Sequence, residues 1–534
     1  MNDLDLDLDS LQATVVKYIS QSHYGDAMAC IKSFAEQVIN DPASIGVVFA
    51  SRELDALCRM LADAYYADRC HVPEREGQGT VILASELVRA GGHVELIKDY
   101  LALGLFESPV RVALTDLFNR IDHASINEWE SLLGCEVFVA TETGLDGKLD
   151  ALTARLGEWN PSTVLTLGHN QDIVCIVAAH APGARNRYYI HHGDHHLSLG
   201  VTCEAFQHVD LHNMTYELCK NEIGVAQQLY WPISAVGPSQ IKTRFLDRGA
   251  LTTCSCGRMS KFESGSYAVR YERAVACILK ASHGYHVHIG DLSDAFLQKI
   301  HVELDAENVS HDRFIHIPWV ASLSRALIEN AVDVYVSSFP LGGGKSLIEA
   351  MSVGVPVVTH ESYRSRYHSG SDLAYPDSYT WGQYEELGRI FKQWDQPLLK
   401  RHAASALLHF ERYYSQEAFL KAFASGLDSA ALVPPLHAYH RNQLQNHLDI
   451  KRQRAQEIGH LISEKNRIFQ EWEYVHSMYK EHSETIARLQ AVIEQLTQER
   501  LALEASVMTQ QQNESAPGSW KGKIRKIADV ILDK

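Results

Sequence analysis

The chain has no run of about 18 apolar residues, so no segment reads as a transmembrane helix. It has no excess of positive charge either. Lys and Arg number 49 against 66 Asp and Glu, a net charge of −17, which argues against a broad nucleic-acid surface. Its ten cysteines follow no framework spacing. Only Cys254 and Cys256 lie close together, with no second pair at zinc-finger spacing, so neither a disulfide scaffold nor a zinc ribbon is expected. Residues 3–9 alternate Asp with Leu, and the N-terminus lacks the basic and apolar regions of a signal peptide. Reduced thiols and a cytoplasmic location follow as expectations. No internal repeat is readable. What remains is an ordinary soluble composition, 46% hydrophobic and 22% charged, on 534 residues, long enough for two or more domains.

Residues 1–77 read as a helical region. From 78 to 235, apolar runs at 80–87, 110–114, 136–140, 163–167, 173–178 and 187–190 read as strands with helical segments between them. From 236 to 430 the pattern returns, with strands at 251–255, 285–289, 314–317, 334–338 and 355–358. Strands alternating with helices predict α/β domains with parallel, doubly wound sheets. A linker spans about 231–248, with Pro232, Gly237 and Pro238. The aromatic-rich helical stretch 398–427 closes the second domain.

The most informative stretch is 333–360: a buried strand, Gly342-Gly343-Gly344, a helix opening at Lys345-Ser346, then Gly354 and a second strand. Glycines let the backbone approach a ligand, and the free N–H groups at a helix start favour an anion, most often phosphate. Gly344-Lys345-Ser346 matches the end of a P-loop, but the required first glycine would fall at Phe339. The whole block resembles the donor-binding segment of GT-B glycosyltransferases, enzymes of two Rossmann-like domains that use nucleotide sugars. That resemblance assigns the donor diphosphate to Gly343, Gly344, Lys345 and Ser346, and the ribose to Glu349. The retaining branch carries a second glutamate eight residues before the first; here that position is Leu341. The Phe-Pro-x-Gly-Gly form is closer to the branch holding O-GlcNAc transferases and bacterial protein glycosyltransferases, which implies an inverting enzyme.

Three further constellations point the same way. Arg258 and Lys261 sit three apart beside Gly257, spaced so that both cations can reach one diphosphate; the family uses such a basic pair on the leaving nucleotide. In 190–200, His191, His192, Asp194, His195 and His196 fall within six residues. A histidine or aspartate there can accept the acceptor hydroxyl's proton, with Asp194 as base or as the group orienting His195. Imidazoles and carboxylates also ligate zinc, but adjacent histidines in a loop rarely converge on one ion, and no metal is expected. His93 stands in the first strand-to-helix turn, where open α/β sheets bind ligands, and is a second candidate base. His191, His192 and His169 are taken as acceptor-side or cleft residues. By position in the family, His316 and Ile317 fall in the loop that reads the nucleobase.

Residues 440–510 carry an apolar heptad running from Leu448 through Ile462, Trp472, Ile486 and Leu496 to Val507, the pattern of a coiled coil and hence of a homo-oligomer. The tail 519–534 is basic and amphipathic, suited to an anionic membrane surface. The sequence-based expectation is therefore a cytoplasmic, peripherally membrane-associated transferase. It would use a nucleotide sugar, with UDP favoured, as co-substrate and no further cofactor. The acceptor would be a cell-envelope glycan or lipid-linked acceptor. A protein acceptor, an epimerase or phosphorylase on the same fold, and a non-catalytic coiled-coil scaffold are the alternatives.

Overall fold

The computed structural model describes residues 7–41, 44–69, 76–88, 92–193, 195–235, 237, 240–263, 267, 269–437, 443–515 and 518–532. It forms two compact units, 1–454 and 455–534.

The first unit holds two parallel sheets. One has seven strands: β1 (Thr80–Ala84), β2 (Val110–Leu114), β3 (Val137–Val139), β4 (Thr163–Leu167), β5 (Asn186–His191), β6 (Gln207–Asp210) and β7 (Gln228–Tyr230), in the order β3-β2-β1-β4-β5-β6-β7. The other has six: β8 (Thr252–Cys256), β9 (Tyr285–Ile289), β10 (Phe314–Ile317), β11 (Val334–Val336), β12 (Val357–His360) and β13 (Tyr379–Trp381), in the order β10-β9-β8-β11-β12-β13. All ladder pairs among them are parallel. In each sheet the strand order reverses once, between β1 and β4 and between β8 and β11. At such a point the two flanking loops leave in opposite directions and open a crevice at the carboxyl ends.

The central strands β1 and β4 are buried along their whole length because both faces of the sheet are covered. Val81 and Leu83 join Met28, Leu61, Leu152 and Ile176 on one side, so the N-terminal helices Leu8–Ser20, Tyr24–Asn40 and Arg52–Arg69 share the core of the first sheet. Ile82 and Ala84 face Tyr100, Trp129, Trp231 and Phe419 on the other side. Phe419 and Phe423 come from the late helix Gln416–Ser425, which returns to the first sheet and packs on Tyr100, Phe106 and Trp231.

One sequence-based strand is corrected. Residues 173–178 form not a strand but the helix Ile173–Ala179, capped by the Asp172 carboxylate on the Cys175 N–H (2.9 Å). All seven of its residues are buried, and a short all-apolar run carries no period that separates the two structures. Strands β6, β7 and β13 have no counterpart in the sequence reading.

The helix Gln443–Ser515 is 73 residues long and continues into the second unit, where the helix Trp520–Leu532 follows. Among the described residues no helix is long and apolar enough to cross a membrane.

Candidate functional site

The carboxyl ends of β8 and β11 flank the reversal of the second sheet, and Lys261, Gly343 and Ser346, read as donor-binding, meet there. After β11 the chain turns through Gly342 and Gly343 into the helix Gly344–Ser352. A Cβ built on Gly343 would lie 3.2 Å from the Lys261 Nζ, 3.2 Å from the Ser346 Oγ and 3.3 Å from the Ser338 Oγ. One ammonium and two hydroxyls thus converge on a side-chain-free point at the start of a nine-residue helix. Its free N–H groups add positive potential. Lys261 reaches this point from the short helix Met259–Phe262 after β8, its ammonium 3.4 Å from the Gly342 carbonyl. Arg258 occupies the N-cap position of that helix and is exposed.

Lys345 and Glu349 take different positions. The Lys345 ammonium donates to Asp99 of the first lobe and to the Ser234 carbonyl (2.6 Å), so it ties the helix across to the helix Gly92–Leu103. Glu349, one turn on, is largely buried. Burial pushes its carboxyl up to about 7, with Glu95 and Asp99 adding to the rise and Lys345 opposing it. The His316 imidazole contacts the Gly290 carbonyl (2.8 Å), and the Ile317 carbonyl accepts from the Gly290 N–H (2.9 Å); both brace the carboxyl ends of β9 and β10.

From the first lobe, His195 comes to the glycine turn. His195, His212 and Met214 line a pocket with Gly342, Gly344, Gly370 and Leu373. A Cβ on Gly344 would fall 2.8 Å from the His212 Nε2, which measures how tightly the two lobes meet. The histidine loop is held by Asn170, whose side-chain amide donates to the Gly193 carbonyl (3.2 Å) and whose carbonyl accepts from the Leu199 N–H (2.8 Å). Gly193 is needed there, because a Cβ would sit 2.0 Å from the Asn170 Oδ1.

The other sequence-read residues divide. His169 lies two residues past the end of β4, at the reversal of the first sheet; its Nε2 stands 3.2 Å from Glu86 and its N–H donates to the Ser85 Oγ (2.7 Å). The His192 Nδ1 contacts the Ile190 carbonyl (3.1 Å). His191 is not a lining residue of the pocket: it is fully buried, with its Nδ1 3.1 Å from Asp210. Asp194 lies outside the described residues, as does the side chain of His93, whose backbone is in the first turn of Gly92–Leu103. Ser338, His212 and Glu86 were missed. Ser338 falls inside a strand run in the sequence. His212 follows β6, where three of the four residues are polar, so the strand carries no apolar signal.

No family model matches the chain, and no curated protein matches it. Solved structures do. HepE of Anabaena, in complex with UDP, superposes with a TM-score of 0.51 at 13% identity, over 66% of this chain and 99% of that one. A glycosyltransferase from Rickettsia africae superposes with a TM-score of 0.50 at 10% identity, with coverage of 66% and 99%. At these identities the likeness establishes the architecture: the chain has the GT-B fold.

Proposed function

We propose that this GT-B chain is a glycosyltransferase that takes its sugar from a nucleotide diphosphate sugar, a UDP-sugar first among them. The observation that carries the reading is the convergence of Lys261, Ser338 and Ser346 on Gly343 at the reversal of the second sheet. Glycosyl transfer breaks the bond between the anomeric carbon and the diphosphate, and negative charge builds on the departing oxygen. Preorganised donors at that point lower the barrier. Here Lys261, the hydroxyls and the helix end supply them, with Arg258 nearby, so the transfer step needs no metal. That HepE, of like fold, was solved with UDP supports uracil as the base.

On the acceptor side His195 is the described residue best placed as the base, since it lines the same pocket as Gly342 and Gly344. His93 and Asp194 are the other two assigned to this role. The acceptor hydroxyl attacks the anomeric carbon as its proton passes to the base. Leu341 stands where a retaining enzyme carries its glutamate, so a single displacement with inversion is the reading we adopt. A cell-envelope or lipid-linked glycan is the proposed acceptor class.

The test is thermal stability with UDP, GDP, ADP and CMP on the wild type and on Lys261→Ala. A ligand that binds only the native state raises the midpoint. A rise with one nucleotide, lost in the variant, is expected. No rise with any nucleotide would sink the reading. Transfer assays with glycan-lipid and peptide acceptors then separate the proposed acceptor from a protein one.

A further inference from the structure

Behind the pocket lies a second cluster of chemistry-bearing side chains with no part in the transfer described above. His191 ends β5, and His208 and Asp210 lie two apart on β6, hence on one face of the sheet. His191 and Asp210 are register partners across the two strands. Cys219 opens a π-helical turn, Cys219–Ile223, directly after the helix Asn213–Leu218. All four are buried, three of them with no exposure and His208 at 1%.

The His191 Nδ1 is 3.1 Å from one Asp210 oxygen, the His208 Nε2 is 3.1 Å from the other, and the Cys219 Sγ is 3.6 Å from the His191 Nδ1. All the donor atoms lie within 4.8 Å of one another. One ring nitrogen is thus in contact with a carboxylate and a thiol at once, and a single N–H cannot point at both. Co-ligands of one ion do share a common focus. Nitrogen and oxygen ligands about 2.0–2.1 Å from a tetrahedral ion stand about 3.3 Å apart, and a sulfur about 2.3 Å out stands about 3.6 Å from a nitrogen. The His191–Asp210 and His191–Cys219 contacts match those separations; His208 stands 3.1 Å from the other Asp210 oxygen, and a pair as wide as 4.8 Å must draw in by about 1–1.5 Å to meet them. The Gln228 amide donates to Asp210 (2.6 Å) and to nothing else in the set, the position of an outer group that orients a ligand.

We infer that His191, His208, Asp210 and Cys219 form a buried, closed site for one divalent transition metal, zinc by the mixture of two imidazoles, a carboxylate and a thiolate. With four protein ligands no position is left for a substrate, so the ion is structural. It would fasten the ends of β5 and β6 to the π-helical turn. His212 and Met214, which line the pocket, leave β6 two and four residues past Asp210. The inference does not depend on the transferase reading.

The test is elemental analysis of the full chain purified without a histidine tag, together with a cobalt-exchanged sample. About one zinc per chain, retained through dialysis against a chelator, is expected, and the cobalt form should show a thiolate-to-metal charge-transfer band. Cys219→Ser should abolish that band, and His208→Gln should lower metal content. Should either variant fail to fold, the wild type decides alone: folded protein that holds only trace metal, and takes up neither zinc nor cobalt when refolded in their excess, overturns the inference. So does metal content unchanged in both folded variants.

Discussion

Lys261 reaches the Gly343 turn and Glu349 lies in the helix that follows it, and their environments predict different behaviour. Lys261→Ala removes an ammonium from a point where two hydroxyls and a helix end already meet. A charge-assisted hydrogen bond is worth roughly 1.5–3 kcal/mol, so nucleotide affinity should fall about 10- to 100-fold by calorimetry, with little change in the stability of the free protein. Glu349 carries a buried carboxyl raised from 4.5 to about 7. Folding therefore favours its protonated form, and the free protein loses stability as pH climbs from about 4.5 through about 7. Glu349→Gln is neutral at every pH. It should match the wild type near pH 4.5 and exceed it above pH 7, by on the order of 1–3 kcal/mol in urea denaturation. The same variant should bind UDP more weakly if the carboxylate holds the ribose. A gain in stability with a loss in affinity marks a residue kept for function. An equal stability gap at pH 5 and pH 8 would show that burial of the charge is not the cause.

In the proposed reading the loop after β5 serves the acceptor and the helix Gly344–Ser352 the donor, so a substitution in one should leave the other intact. Gly193→Ala places a methyl 2.0 Å from the Asn170 Oδ1 and must displace either the loop or the side chain that holds it. Sugar transfer is expected to drop at least roughly tenfold, since a displacement of about 1 Å at a reacting group is costly, while UDP affinity stays near wild type. Loss of UDP binding in Gly193→Ala would mean that the loop shapes the donor site instead. Across from it, the Lys345–Asp99 pair joins a helix of each lobe. Both partners are largely screened from water, so the pair holds the helices in register more than it stabilises the fold.

At the scale of the whole molecule, the long C-terminal helix leaves much apolar surface in water. Ile458, Ile462, Phe469, Trp472, Ile486, Leu489, Ile493 and Leu496 are each more than half exposed on a single chain. An exposed stripe of that length is the pattern of a helix that pairs, and we propose a second copy of this chain as its partner. Light scattering should find an oligomer for the full chain and a monomer for residues 1–437. A monomeric full chain would remove the coiled-coil reading. In the last helix, Trp520 and Val530 are 81% and 70% exposed beside Lys521, Lys523, Arg525 and Lys526. Full-length protein should sediment with phosphatidylserine vesicles, and a chain ending at 515 should not. Equal sedimentation would locate any membrane affinity elsewhere.

The α/β class, the glycine turn, the helix behind it and the long C-terminal helix were legible in the sequence. Each is carried by local signals: apolar runs, glycines, and a stripe repeating by threes and fours. Local signals misread 173–178, part of a helix of seven buried apolar residues, and missed β6 altogether. The β6 residues His208 and Asp210 are buried yet polar, and a strand that turns polar side chains inward shows none of the alternation that announces a strand. The same two residues meet His191 and Cys219, which lie 28 positions apart in the chain. No spacing rule links these four. Their meeting depends on the pairing of β5 with β6 and on a turn that brings Cys219 back beneath the sheet. Likewise His212 against Gly344, and Lys345 against Asp99, are contacts between lobes. Residues more than a hundred positions apart become neighbours only when two sheets present their carboxyl ends to one crevice. Sequence determined the parts and their chemistry, and tertiary structure alone decided which of them touch.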